Sequence, residues 1–109
     1  MAKKLDFNSY QRRASSTAIY PSKHKVYYPM IGLAGEVGEL ANKIKKRMRG
    51  DSKVVTKSDL EAELGDVLWY TSQISADLGI KLDDVARNNL KKLNDRKMRG
   101  MIKGSGDNR

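Results

Sequence analysis

Four carboxylates stand at matched spacing in two separate stretches, Glu36-Val37-Gly38-Glu39 and Glu63-Leu64-Gly65-Asp66. Acids three residues apart share one face of a helix. At about 100° per residue, Glu36 and Glu39 lie roughly 300° and 240° from Leu33, and Glu63 and Asp66 lie at the same two angles from Leu60. Each pair thus flanks an apolar stripe on the same side. Two such helices packed antiparallel would bring all four carboxylates to one edge of their seam. Clustered anions repel, so the arrangement requires compensating positive charge. An all-oxygen ligand set suits hard divalent cations, Mg2+ or Mn2+, and acids on facing helices are one way in which bundles hold them. Glu63 and Asp66 have no base within four residues, whereas Lys43 follows Glu39 by four and is placed for an ion pair or for a phosphate.

Positioning these groups falls to helices. The chain has two prolines, one phenylalanine and no convincing period-2 segment, which argues against sheet. Four helical segments are expected, separated by short connections, and therefore an all-α, four-helix bundle with antiparallel neighbours. The first runs from about Asp6 to Ile19 and is closed by Tyr20-Pro21. The second opens near Pro29 and ends at about Met48, with Gly50 as its stop. The third begins with a capping box, Ser58-Asp59-Leu60-Glu61, and runs to Leu78 with Gly79 behind it. The fourth starts near Leu82, with Asp83 and Asp84 in its first turn and Lys97 and Arg99 late, as the helix dipole favours. Apolar stripes support these assignments: Leu33, Val37, Leu40, Ile44 and Met48 on the second helix, Leu60, Leu64, Val67, Leu68 and Ile74 on the third, Leu82, Val85, Leu90 and Leu93 on the fourth. A single domain over residues 1–100 and a disordered polar tail over 101–109 are expected. Gly32, Gly35, Gly38 and Gly65 each cost about 1 kcal/mol of helix propensity, a cost that points to close approach of a backbone or ligand.

Charge divides the classes of function. The chain of 109 residues carries a formal charge of +9. Residues 59–79 nevertheless hold five acids and no base, an acidic island in a basic chain. A basic surface attracts polyanions of every kind. A pure nucleic-acid binder has no use for the island, but a cation-assisted phosphate enzyme does. There is no cysteine, so disulfides and thiolate metal sites are excluded. No apolar run approaches the roughly 20 residues of a membrane span. The expected location is the cytoplasm.

The ordered set Gly32-Leu33-Ala34-Gly35-Glu36-Val37-Gly38-Glu39 and Glu63-Leu64-Gly65-Asp66-Val67-Leu68-Trp69-Tyr70 resembles the E-x-x-E…E-x-x-D signature of MazG-like proteins, members of the all-α nucleoside triphosphate pyrophosphohydrolases. Tyr10-Gln11-Arg12-Arg13-Ala14 and Thr17-Ala18-Ile19-Tyr20-Pro21 look like the lead-in of short, single-domain members, phage-encoded ones among them, for which the location would be the host cytoplasm. Asn89-Leu90-Lys91-Lys92-Leu93-Asn94-Asp95-Arg96 is similar to the family's N-x-x-K-L-x-x-R stretch, so the likeness spans roughly residues 6 to 100. The resemblance implies hydrolysis of an NTP or dNTP between its α- and β-phosphates. It implies Glu36, Glu39, Glu63 and Asp66 as metal ligands, with Mg2+ the usual ion, Mn2+ accepted, and two or more ions per site. It also implies that Tyr70, Asn89, Lys92 and Arg96 line the nucleotide site, and that the bundle is completed by homo-oligomerisation, as a dimer or as a tetramer built from dimers.

In chemical terms, bound cations would neutralise phosphate oxygens and activate water, while Glu36 or Glu39 takes the proton. Lys92 and Arg96, one turn apart, can face one pyrophosphate. Lys43 and Lys46 lie on the carboxylate side of the second helix. Tyr70 projects near Glu63 and Asp66, whereas Trp69 projects away and is expected to pack. Tyr10, Tyr27 and Tyr28 are free to stack on a base, and His24, the sole histidine, lies in a basic loop without partners for a metal. Two rivals remain: a related all-α pyrophosphohydrolase acting on phosphoribosyl-ATP, dUTP or dCTP, and a basic helical protein that binds nucleic acid without catalysis. The acidic third helix weighs against the second.

Overall fold

A computed structural model describes residues 4–50 and 55–100. The segment 101–109, expected to be a tail, lies outside the described residues. Among the described residues four α-helices and one 3-10 turn follow in order: α1 (Phe7–Ser15), the turn Ser22–His24, α2 (Tyr27–Met48), α3 (Lys57–Asp77) and α4 (Leu82–Met98). No strand occurs among the described residues, and no helix there is long and apolar enough to cross a membrane.

α1 starts where expected. Asp6 accepts the Ser9 N–H at 2.7 Å while the Asp6 N–H donates to Ser9 Oγ at 3.0 Å, a reciprocal cap. It ends four residues before Ile19. The cause is the hydroxyl run Ser15-Ser16-Thr17: Ser16 Oγ donates to the Arg13 carbonyl and Thr17 Oγ1 to the Ala14 carbonyl, each at 2.6 Å. Such local bonds compete with the helical ladder.

α2 opens two residues before Pro29, which occupies the third helical position, where its missing N–H has no helical partner to lose. Ahead of it, Val26 has φ 68° and ψ −53°, and the Tyr27 N–H donates to the Lys25 carbonyl at 2.8 Å. This is a γ-turn in its strained form, unusual for a β-branched residue. Asp77 holds it in place. Its Oδ2 accepts the Val26 N–H at 2.9 Å and the Tyr20 hydroxyl at 2.8 Å.

α3 also begins two residues earlier than expected. The cap is Thr56 with Asp59: Asp59 N–H donates to Thr56 Oγ1 at 3.2 Å and Thr56 N–H to Asp59 Oδ2 at 2.8 Å. Thr56-Lys57-Ser58-Asp59 satisfies the same four-residue pattern as Ser58 to Glu61. Starting there adds helical residues at no second nucleation cost. Gly50, Gly79 and Gly100 close α2, α3 and α4, all at positive φ where glycine has no steric penalty.

α2 and α3 form the main antiparallel pair. Asp77 at the end of α3 meets Val26 at the head of α2, and Arg47 near the end of α2 donates to the Val55 carbonyl at 2.7 Å. α1 packs on α3 and α4, and α4 packs on α1 and α3. Gln11 of α1 pins the α3–α4 connection, donating to the Ile80 carbonyl at 2.9 Å and accepting the Leu82 N–H at 3.0 Å. The interior is unusually polar. Ser72, Gln73 and Ser75 of α3 are buried, and Gln73 accepts from Ser15 Oγ at 3.1 Å and donates to the Tyr20 hydroxyl at 3.3 Å. The apolar stripes are only partly covered: Leu82 is 3 % exposed, but Val37 is 51 %, Leu64 54 % and Leu90 61 %.

Candidate active site

The helical register brings Glu36 of α2 and Glu63 and Asp66 of α3 together. One oxygen from each lies within 4.8 Å of the others. Glu39 is exposed and falls outside that set, although its charge still acts on Glu36. Three of the four expected carboxylates therefore converge within one chain, with the fourth one turn away.

Electrostatically the cluster is an anion excess. The Glu36 carboxyl is pushed up to about 7, chiefly by its hydrogen bond with Glu63, then by burial and by the charges of Asp66, Glu63 and Glu39. Glu63 is shifted down, by that bond with Glu36 first and then by Lys43. Glu36 thus holds a proton on behalf of the group. Lys43 reaches across from α2, its Nζ 3.0 Å from Glu63 Oε1, and so pairs with the opposite helix and not with Glu39 four residues behind it. The second oxygen, Glu63 Oε2, is sealed from water and, the proton shared with Glu36 aside, has no hydrogen-bond partner among the described residues.

This donor set fits a hard divalent cation. All three residues offer carboxylate oxygens, the ligand type that such cations prefer. A buried carboxylate oxygen with no donor besides that proton and a neighbour kept protonated by repulsion are the marks of a place where a cation would replace a proton.

Around the cluster stand tyrosines. Tyr70, four residues after Asp66, is half-buried, and its hydroxyl is shifted up by burial and by Tyr28, Glu36 and Asp66. The Tyr10 hydroxyl is likewise shifted up by burial and by Asp66, which places a third tyrosine at the cluster's edge. Trp69 turns away, as expected, and donates from Nε1 to Thr17 Oγ1 at 2.8 Å. Gly32 meets the Tyr70 ring, while Gly35, Gly38 and Gly65 have no neighbour within 4 Å of a would-be side chain. Only Gly32, then, serves a close approach inside the chain.

The residues expected on α4 differ in exposure. Asn89 is exposed, Lys92 half-buried and Arg96 only 4 % exposed. Neither Lys92 nor Arg96 is among the charges that act on Glu36 or Glu63. Sequence reasoning missed Asp77 and Tyr20, whose partners lie more than fifty residues away along the chain and leave no periodic signal. Gln11 escaped notice for the same reason, although it stands in the quoted lead-in motif.

The MazG nucleotide pyrophosphohydrolase domain matches residues 27–100, which hold α2, α3 and α4 and all four carboxylates. A protein of Mycobacterium phage L5, called Gene 37 protein, is 50 % identical over 109 aligned residues, covering 92 % of this chain and 96 % of that protein. No solved structure matches. With its carboxylate pairs on facing helices and more than half its length matched, the chain belongs to the MazG nucleotide pyrophosphohydrolase family.

Proposed function

We propose that the chain hydrolyses nucleoside triphosphates, ribo- or deoxyribo-, between the α- and β-phosphates, releasing a monophosphate and pyrophosphate. The observation that carries this is the convergence of Glu36, Glu63 and Asp66 from two facing helices in a chain of this family. Those three with Glu39 would hold Mg2+, with Mn2+ accepted, as two or more ions; such ions neutralise the phosphates and activate the attacking water. Glu36 or Glu39 accepts the proton of that water. Tyr70 contacts the nucleoside, with Asn89 as a further polar contact. Lys43, whose Nζ lies 3.0 Å from Glu63 Oε1, offers its charge to a phosphate oxygen. Lys92 and Arg96 receive the pyrophosphate, Arg as a planar fork and Lys as a point charge.

The exposed apolar surface at Val37, Leu64 and Leu90 supports a homo-oligomer, a tetramer of paired dimers in preference to a dimer. The role that follows is control of a nucleotide pool.

The test is product analysis with the eight common NTPs and dNTPs and phosphoribosyl-ATP, under Mg2+ or Mn2+, with Glu39→Gln as control. Pyrophosphate and monophosphate, lost in the variant, are expected, and the ranking identifies base and sugar. Release of orthophosphate instead would overturn the assigned bond.

A further inference from the structure

One helical turn from the carboxylates lies a cleft of about 240 Å3 lined by Tyr28, Ile31, Gly32 and Tyr70. Gly32 precedes Glu36 by four residues on α2, and Tyr70 follows Asp66 by four on α3. Both cleft residues therefore share a face with a carboxylate, about 6 Å along the axis (four residues at about 1.5 Å each). A ribose bridges such a gap between a phosphate and a base.

Both aromatic walls are braced from behind. Tyr28 stacks on Tyr20, ring centroids 4.8 Å apart and planes 19° apart, and the Tyr20 hydroxyl is tied to Asp77 at 2.8 Å. Tyr70 meets the Trp69 ring edge-on at 5.1 Å, and Trp69 is itself tied to Thr17 at 2.8 Å. Tyr70 reaches its place only because Gly32 has no side chain. A Cβ there would sit 2.8 Å from Tyr70 Cδ1 and nearer still to Cε1 and Cζ, inside van der Waals contact, so the ring would have to leave. Rigid, pre-braced aromatic faces are what a planar base stacks upon.

We propose that Gly32 is a positioning residue for substrate: its bare backbone seats the Tyr70 ring, which with Tyr28 forms the slot for the nucleobase. The proposal rests on the pyrophosphohydrolase reading for the identity of the ligand, but the seat itself does not. Because the ring and not the backbone is the object, Gly32→Ala acts through Tyr70 and is silent once Tyr70 is gone.

A double-mutant cycle of Gly32→Ala and Tyr70→Ala in the full chain tests this. Two readouts are taken: emission of Trp69, the single tryptophan, and KM and kcat for pyrophosphate release from dATP and dCTP with Mg2+. Equilibrium binding of dAMP and dCMP gives the same comparison without turnover. Gly32→Ala is expected to change Trp69 emission, to raise KM and the monophosphate Kd tenfold or more with kcat changed less, and to leave Mn2+ affinity unaltered. In the Tyr70→Ala background the same substitution is expected to change nothing. An equal effect of Gly32→Ala in both backgrounds would overturn the seat. A shifted emission with unchanged nucleotide affinity would overturn the slot as the nucleobase site. Absence of pyrophosphate release from the wild-type protein, with the emission cycle intact, would sink the pyrophosphohydrolase reading and leave the seat standing.

Discussion

With Glu63, Asp66 and Glu39 gathered round it, the Glu36 carboxyl keeps its proton up to about pH 7, whereas in the unfolded chain it would lose it near its ordinary value of 4.5. Folding of the metal-free protein therefore takes up a proton between those two values. The contribution of Glu36 to stability is full below about 4.5 and is lost as pH rises through about 7. Thermal melts in the presence of a chelator should accordingly show Tm falling from pH 5 to pH 8, with Glu36→Gln flattening the slope. A cation competes with the same proton, so Mn2+ affinity measured by calorimetry should rise with pH over this window, with proton release on binding. A pH-independent affinity would remove Glu36 from the ligand set. At the other end of the α2–α3 pair, Asp77 satisfies Tyr20 and the strained Val26 turn at once. Asp77→Ala leaves both donors unmet and should cost about 1–3 kcal/mol in urea unfolding. Asp77→Asn, which retains an acceptor, should cost less, and no change in either would mean that α2 is positioned by something else.

Helices set the spacing of the site, and their periodicity is what made the carboxylates legible. Glu36, Glu63 and Asp66 lie where a count of about 100° per residue puts them, and Trp69 and Tyr70 diverge as that count requires. The same count puts Glu39 on that side as well and predicts that it joins the cluster, but in the structure it is exposed and lies outside the three that converge. Helix ends were less legible. Two overlapping four-residue patterns, Thr56 to Asp59 and Ser58 to Glu61, fit a capping box equally well, and only the folded chain distinguishes them. The cap has a measurable weight: Thr56→Ala should lower stability by about 1 kcal/mol, read as a drop in Tm, whereas Ser58→Ala should be near neutral. The reverse ranking would restore the later start. The glycines were conspicuous in the sequence, but nothing in their spacing distinguishes Gly32, against which a ring packs, from Gly35 and Gly38, which face open space.

At the scale of the molecule, the chain buries few large apolar side chains and places a network of Ser15, Gln73, Tyr20 and Asp77 where a core would be. Much of its apolar surface, Val37, Leu64, Leu90 and Met98 included, faces outward. Sedimentation should therefore report an oligomer of the 12.3 kDa chain, and Leu64→Lys or Leu90→Lys should shift it toward monomer with a lower Tm. A wild-type monomer would contradict the proposed assembly. Of the five acids in the island at residues 59–79 of a chain with formal charge +9, Glu63 and Asp66 stand in the carboxylate cluster, Asp59 caps α3 and Asp77 ties Tyr20 to Val26; on the proposed reading a polyanionic substrate would be held at the cluster through cations. The most direct test of that link is pyrophosphate release as a function of Mn2+ concentration in wild type and Glu63→Gln, with circular dichroism to confirm the fold of the variant. The expected result is saturable, cation-dependent release of pyrophosphate that falls at least a hundredfold in Glu63→Gln. Release that needs no divalent cation, or that survives in the variant, would contradict it.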